Sequence, residues 1–338
     1  MKRRNFISKT MITGAILPAA AIIPSKHSSY QLSKEQTEIS NIDSNENVVI
    51  ERLLEGQPHK GKVLGVIQPH SDDIPFFAAG TVAKLIYEGY TGYLIRTSND
   101  DAAGGGQSPG ETVLNNEKDN EAVAKVLGLK KTYYLNYRNH RMDECNIQDI
   151  KGRLIFLFRL LKIDTLICYD PWGHYEENPD HYITARAVEA ARWMAGGRYD
   201  YPEQLDVVEP HSVSERYYFA RGPQLVNRVV DISKFIDKKV ESNMMGKNQG
   251  FGNGGVETRK KLADMGKKVA LFGSDDNTAN FNYIKEFALD KDSENLRGVP
   301  SDRKVGEKYG LSWAERFHYI GPIPSVLDEF IKNNSVPK

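Results

Sequence analysis

The sequence predicts an α/β fold: a Rossmann-like, doubly wound, mainly parallel sheet with a C-terminal extension. Three observations carry this expectation. Short apolar, often β-branched runs alternate with helical periodicities from residue 62 to residue 194, the pattern of βα units that build a parallel sheet. No internal repeat of fixed period occurs, which sets solenoids and propellers aside. Clusters of polar and ionisable residues stand directly after the strand candidates, where open parallel sheets bind their ligands.

The elements follow in order. Residues 62–67 are the first strand, ended by Pro69, and a helical pattern runs over 76–87. A second strand covers 92–97, and a glycine-rich loop at 99–110 leads into a helix at 113–127 that Gly128 closes, glycine being the residue that best takes the left-handed turn after a helix. A third strand is expected at 132–135, a third helix at 147–161, a fourth strand at 164–169 and a fourth helix at 180–194. After Gly196 the pattern loosens into a strand candidate at 216–220, a helix near 232–244 and a Gly/Asn segment at 246–255. The expected organisation is a main domain over 48–200 and a C-terminal subdomain over 201–338 that completes the same fold.

Ahead of that lie two segments of a different kind. Residues 1–25 run from Lys2-Arg3-Arg4 through an apolar stretch to the small residues Ala19-Ala20-Ala21, the order of an export signal. Arg3-Arg4-x-Phe6-Ile7 resembles a twin-arginine signal. Pro18 and Pro24 interrupt the apolar stretch, which is shorter than the ~20 residues a spanning helix needs. A stable membrane span is therefore not expected after signal removal, and the protein is expected outside the cytoplasm, periplasmic or extracellular. Residues 26–47 are rich in Ser, Gln, Glu and Asn and suit a flexible linker.

Lys+Arg and Asp+Glu both total 45, so no overall field draws the chain to nucleic acid. Two cysteines without Cys-x-x-Cys spacing give no disulfide framework. Partners must be read from sites.

Two polar clusters carry the chemistry. After the first strand comes Pro69-His70-Ser71-Asp72-Asp73; after the fourth comes a run over 170–181 that includes His174, Glu176, Asn178, Asp180 and His181. A helix cap explains one Asp at such a place; it does not explain a histidine and a second carboxylate beside it. Imidazole and carboxylate are ordinary zinc ligands, and a catalytic zinc takes three protein ligands and a water. His70, Asp73 and His181 supply that set, and Asp72 is placed to take a proton from the bound water. The same ligand types serve non-haem iron(II), so Fe2+ or another divalent metal stays open. A glycine run at Gly104-Gly105-Gly106 lacks the Gly-Lys-Ser/Thr of a phosphate loop; it reads as a lid or a mobile loop. Arg138 and Arg141 are candidates to orient a substrate, and Trp172 and Tyr175 to stack on a sugar ring.

Pro69-His70-Ser71-Asp72-Asp73 resembles the Pro/Ala-His-Pro-Asp-Asp-Glu signature of the LmbE-like (PIG-L) deacetylases, and Asn178-Pro179-Asp180-His181 resembles that family's His-Pro-Asp-His. Lys118-x-x-Glu121-Ala122 with Leu127-Gly128 is similar to its Arg-x-x-Glu-Ala…Leu-Gly helix. The resemblance implies a zinc-dependent hydrolase that removes an N-acetyl or other N-acyl group from an amino sugar or related conjugate, small or glycan. It gives His70, Asp73 and His181 as metal ligands and Asp72 as general base. Two positions depart from it: Ile74 stands for the family's Glu, and Asn178 for the first motif histidine, which helps stabilise charge on the carbonyl oxygen. His174 is the preferred substitute for that catalytic part, with Asn178 itself and His140 as the other candidates. The competing reading is a noncatalytic carbohydrate- or metal-binding protein on the same fold.

Overall fold

A computed structural model describes residues 48–323 and 325–336. The expected export signal and linker at 1–47 lie outside the described residues.

Eight strands form one sheet: β1 (Val49–Glu51), β2 (Val63–Gln68), β3 (Thr91–Ser98), β4 (Thr132–Tyr137), β5 (Thr165–Tyr169), β6 (Glu215–Phe219), β7 (Arg228–Asp231) and β8 (Ala314–Ile320). Their order is β1-β7-β8-β6-β5-β2-β3-β4. Every pairing is parallel except the two made by β8, which runs against both β6 and β7. β2 and β5 are buried almost throughout, as strands covered by helices on both faces must be. Because the chain moves outward from β2 to β3 and β4, then returns to add β5 on the other side, the order reverses between β2 and β5. The carboxyl ends of strands diverge at such a switch point and leave a crevice between them.

The helices account for themselves locally. α1 (Asp73–Phe77) and α2 (Ala79–Tyr87) replace the single helix expected at 76–87. Pro75 sits in the first turn of α1, where its missing N–H costs no hydrogen bond, so the helix starts earlier than the proline suggests; the backbone breaks at Ala78, φ −141°. α3 (Pro109–Leu127) also starts earlier than expected, with Ser108 capping Glu111 N and Pro109 in the first turn. Gly128 ends it at φ +74°. α4 (Ile147–Leu161) matches its expected bounds and buries Ile150, Leu154, Ile155, Leu157 and Phe158 along one stripe. The buried Arg159 on α4 donates to the carbonyls of Ala195, Gly197 and Asp200, which ties it to the end of α5 (Pro179–Ala195).

Beyond residue 200, β6, β7 and β8 extend the same sheet. The helix expected near 232–244 is α6 (Ile236–Met245). A loop at 246–253 follows and crosses the crevice side of α3: Asn248 N donates to Asp119 Oδ2 at 2.7 Å, and Asn248 Oδ1 accepts from Gly105 N at 2.9 Å. Among the described residues, no helix is long and apolar enough to cross a membrane.

Candidate metal centre

The segment after β2 is folded by its own buried polar partners. Gln68 Oε1 accepts from Ile74 N at 3.0 Å, Asp73 Oδ2 accepts from His70 N at 2.8 Å, and Asp100 Oδ2, after β3, accepts from Ser71 N at 3.0 Å. Ser71 Oγ reaches Asn116 of α3 and Gln249 of the 246–253 loop. The backbone donors of His70, Ser71 and Ile74 thus meet a carboxylate or amide, as buried N–H groups require. The turn holds its side chains in one arrangement.

That arrangement brings together the three residues expected to be ligands. His70, Asp73 and His181 are buried, and one ligand atom from each lies within 4.8 Å of the others. His70 Nδ1 and His181 Nε2 face each other at 2.9 Å, each 3.5 Å from an Asp73 oxygen. The outward nitrogens are held as well: His70 Nε2 lies 3.0 Å from Asp180 Oδ2, and His181 Nδ1 lies 3.1 Å from Glu176 Oε1. A carboxylate behind each ligating imidazole fixes its tautomer and ring plane, an arrangement typical of metal sites. Tyr169, the last residue of β5, donates to Asp73 Oδ1 at 2.7 Å and stacks on the His181 ring at a centroid distance of 4.1 Å. Arg221, after β6, braces Glu176 at 3.1 Å.

The electrostatics suit a cation. Burial alone disfavours a charged imidazole, yet the hydrogen bonds from Asp180 and Asp73 hold His70 well above its ordinary value. A positive charge between these groups is what the field favours, and two inward imidazole nitrogens with one carboxylate are a donor set that fits a divalent metal. The adjacent carboxylates are pushed apart. Burial and the neighbouring Asp73 charge raise Asp72 to about 8, whereas Asp73 overcomes burial through His181 and His70 and falls to about 2.

A cavity of about 250 Å³ opens onto these groups. Asp72, Asn178, His140 and Arg221 line it; His174 does not. The His174 backbone is clamped against the loop after β6, its N–H donating to Pro223 O at 2.9 Å and its carbonyl lying where a Cβ on Gly222 would come within 2.0 Å. Its side chain is exposed, with Tyr175 as its ring neighbour. The structure therefore leaves His174 outside the cavity lining, where Asn178 and His140, the other two candidates, stand. Asn178 is the N-cap of α5, its Oδ1 accepting from Asp180 N at 3.0 Å, which leaves its NH2 as the donor it has to offer. Arg138 and Arg141 are exposed and paired with Asp101 and Glu144. Trp172 lies against His318 and Tyr218.

Asp180, Glu176, Tyr169 and Arg221 received no role from the sequence. The first two stood inside the polar run after β5, and their carboxylates between histidines were the available signal. Tyr169, the last residue of a strand, and Arg221, two residues past one, gave none.

Residues 65–192 match the PIG-L family, described as GlcNAc-PI de-N-acetylase, so the resemblance read from the motifs extends across β2 to α5. A diacetylchitobiose deacetylase of Thermococcus kodakarensis is 25% identical over 180 residues; the match covers 52% of this chain and spans 66% of that relative's length. Among solved structures, N,N'-diacetylchitobiose deacetylase from Pyrococcus horikoshii superposes with a TM-score of 0.57 at 19% identity, over 92% of this chain and all 100% of that one. The conserved protein TT1542 from Thermus thermophilus gives 0.52 at 19% identity over 78% of this chain and 96% of its own. GalB, a 4-carboxy-2-hydroxymuconate hydratase from Pseudomonas putida, gives 0.53 at 15% identity over 78% and 98%. The structures share the fold. Since a hydratase shares it too, chemistry has to be argued from the site.

Proposed function

We propose that the chain is an exported, zinc-dependent deacetylase that hydrolyses an N-acetyl or related N-acyl group on an amino sugar or glycan. The observation that carries this reading is the convergence of His70 Nδ1, His181 Nε2 and the Asp73 carboxylate beside Asp72 on the wall of one cavity. The family match and the deacetylase relative support it. Zinc suits two imidazoles and one carboxylate held by outer carboxylates, and the parallel α/β sheet departs from the β-barrels usual for the iron oxygenases that share this donor set.

When bound, the metal supplies Lewis acidity and lowers the pKa of a coordinated water towards neutrality. Asp72, adjacent to Asp73 and not one of the three residues that would hold the metal, is placed to take a proton from an attacking water as its oxygen bonds to the acyl carbon and the carbonyl π pair moves onto the acyl oxygen. When the adduct collapses, the C–N bond breaks with its pair going to nitrogen, and Asp72 returns the proton to the leaving amine. The products are a carboxylic acid and an amine, which separate at neutral pH as carboxylate and ammonium. A carboxyl held near neutrality by burial and by Asp73 suits both transfers. A protein that only bound sugar or metal would have no use for it.

The test is acetate release from N-acetylglucosamine and N,N'-diacetylchitobiose by metal-free protein, before and after zinc is restored. Release is expected to require the metal. Asp72→Asn is expected to retain zinc and lose turnover by ~10²–10⁴-fold, the range for a general acid–base group. No acetate with any divalent metal, or undiminished turnover in Asp72→Asn, would overturn the reading.

A further inference from the structure

We propose that His140 donates the hydrogen bond that receives the developing charge on the substrate's acyl oxygen, an inference that rests on the deacetylase reading. Attack on an amide places a full charge on that oxygen, and a protein donor aimed at it is a large part of catalysis. Most donors on the cavity wall are engaged elsewhere. The outer nitrogens of His70 and His181 face Asp180 and Glu176, Tyr169 is on Asp73, Arg221 is on Glu176, and Arg297 is on Ser293 and Asp302. Four remain with a donor to offer: the amides of Asn178 and Gln249, the His140 imidazole, and Nη1 of Arg221, whose Nε and Nη2 are the atoms on Glu176.

Two observations single out His140. His140 lines the cavity, and its ring lies edge-on to that of His70 with centroids 6.0 Å apart. Its backbone N–H donates to Asp180 Oδ2 at 2.7 Å, the same oxygen that lies 3.0 Å from His70 Nε2. One buried carboxylate oxygen therefore indexes both a metal ligand and His140. Asn139 adds to the clamp, its Nδ2 reaching Asp180 and its N–H donating to Asp101 Oδ1.

The second observation is conformational. His140 adopts φ +59°, in the left-handed region, which costs an ordinary L-residue roughly 1–2 kcal/mol and a glycine little. Glycine would satisfy the turn and every backbone bond just named. An imidazole kept at a glycine position beside a metal site is an outlier of the kind that points to function.

The experiment compares wild-type protein with His140→Gly and His140→Asn, both residues at ease in the left-handed region and neither carrying an imidazole. Zinc content, melting temperature, kcat and KM for N-acetyl substrate are read on each. The expected result is kcat lower by ~10²–10³-fold in both variants, the scale of a lost oxyanion donor, with KM and zinc content held and the melting temperature of His140→Gly no lower than wild type. Wild-type kcat in either folded variant would overturn the proposal, as would loss of zinc together with a lower melting temperature, since His140 would then be holding the loop. An inactive wild-type protein sinks the deacetylase reading and this inference with it; an active wild type with equally active variants sinks this inference alone.

Discussion

Asp180 concentrates more of the site than its position behind the ligands suggests, and Asp180→Asn tests that. The side chain is fully buried. Oδ2 takes His70 Nε2 at 3.0 Å, His140 N at 2.7 Å and Asn139 Nδ2 at 3.3 Å, while Oδ1 takes Met142 N at 3.2 Å. An amide of the same shape has one oxygen. If that oxygen faces His70 and His140, the NH2 group confronts Met142 N; if it turns, the NH2 confronts the more crowded side. Either way at least one buried N–H loses its acceptor, which costs about 1–3 kcal/mol, and the charge-assisted bond to His70 is weakened by a further ~1 kcal/mol. The sum is about 2–4 kcal/mol. At ~2–4 °C per kcal/mol for a domain of this order of size, the metal-free variant is expected to melt roughly 4–16 °C lower. Metal affinity should fall by ~10–100-fold, the usual effect of removing an outer carboxylate from a ligating histidine. Chelator competition with Zn2+ and scanning calorimetry of the metal-free protein measure the two quantities separately. Zinc affinity within threefold of the parent would refute the reasoning, because His70 would then need no carboxylate to fix it.

Two further predictions concern the second cluster and the N-terminus. His174→Ala is expected to leave zinc content and kcat within about twofold of the parent, since its side chain is exposed and outside the cavity wall; a ~10²-fold loss of kcat would return it to the site. Replacing Arg3 and Arg4 together by lysine is expected to leave precursor inside the cell, if the basic pair acts as a twin-arginine signal; unchanged appearance of mature protein in the periplasm or medium would argue against that route.

Much of the fold was legible because its elements are local. The runs that became β2 and β5 are largely apolar, α4 carries a regular stripe from Ile150 to Phe158, and Gly128 is a cap whose chemistry lies in one residue. What went unread lacks that locality. β1 and β7 are three and four residues long, and β8 was passed over although it spans Ala314–Ile320. A strand's identity is set by what it pairs with, and β8 pairs with β6 some hundred residues earlier, Tyr217 opposite Tyr319. The earlier start of α1 was hidden by Pro75, whose effect depends on whether it falls in the first turn or the interior.

At the site the division has the same physical root. The sequence by itself brought together the candidate ligands, because parallel strands put post-strand segments at one edge of the sheet, and His70, Asp73 and His181 lie there once β2 and β5 are recognised. It preferred His174 to His140, two loop histidines after strands that are consecutive in the chain but not paired in the sheet. Only the tertiary structure shows which of the two lines the cavity. Gly222 and Pro223 clamp the backbone of His174 and leave its side chain exposed, while Asp180, reaching across from α5, pins His140 in a left-handed turn on the cavity wall. Which way a loop side chain points depends on backbone hydrogen bonds to residues 40 or more positions away, and no local pattern of residue types encodes them.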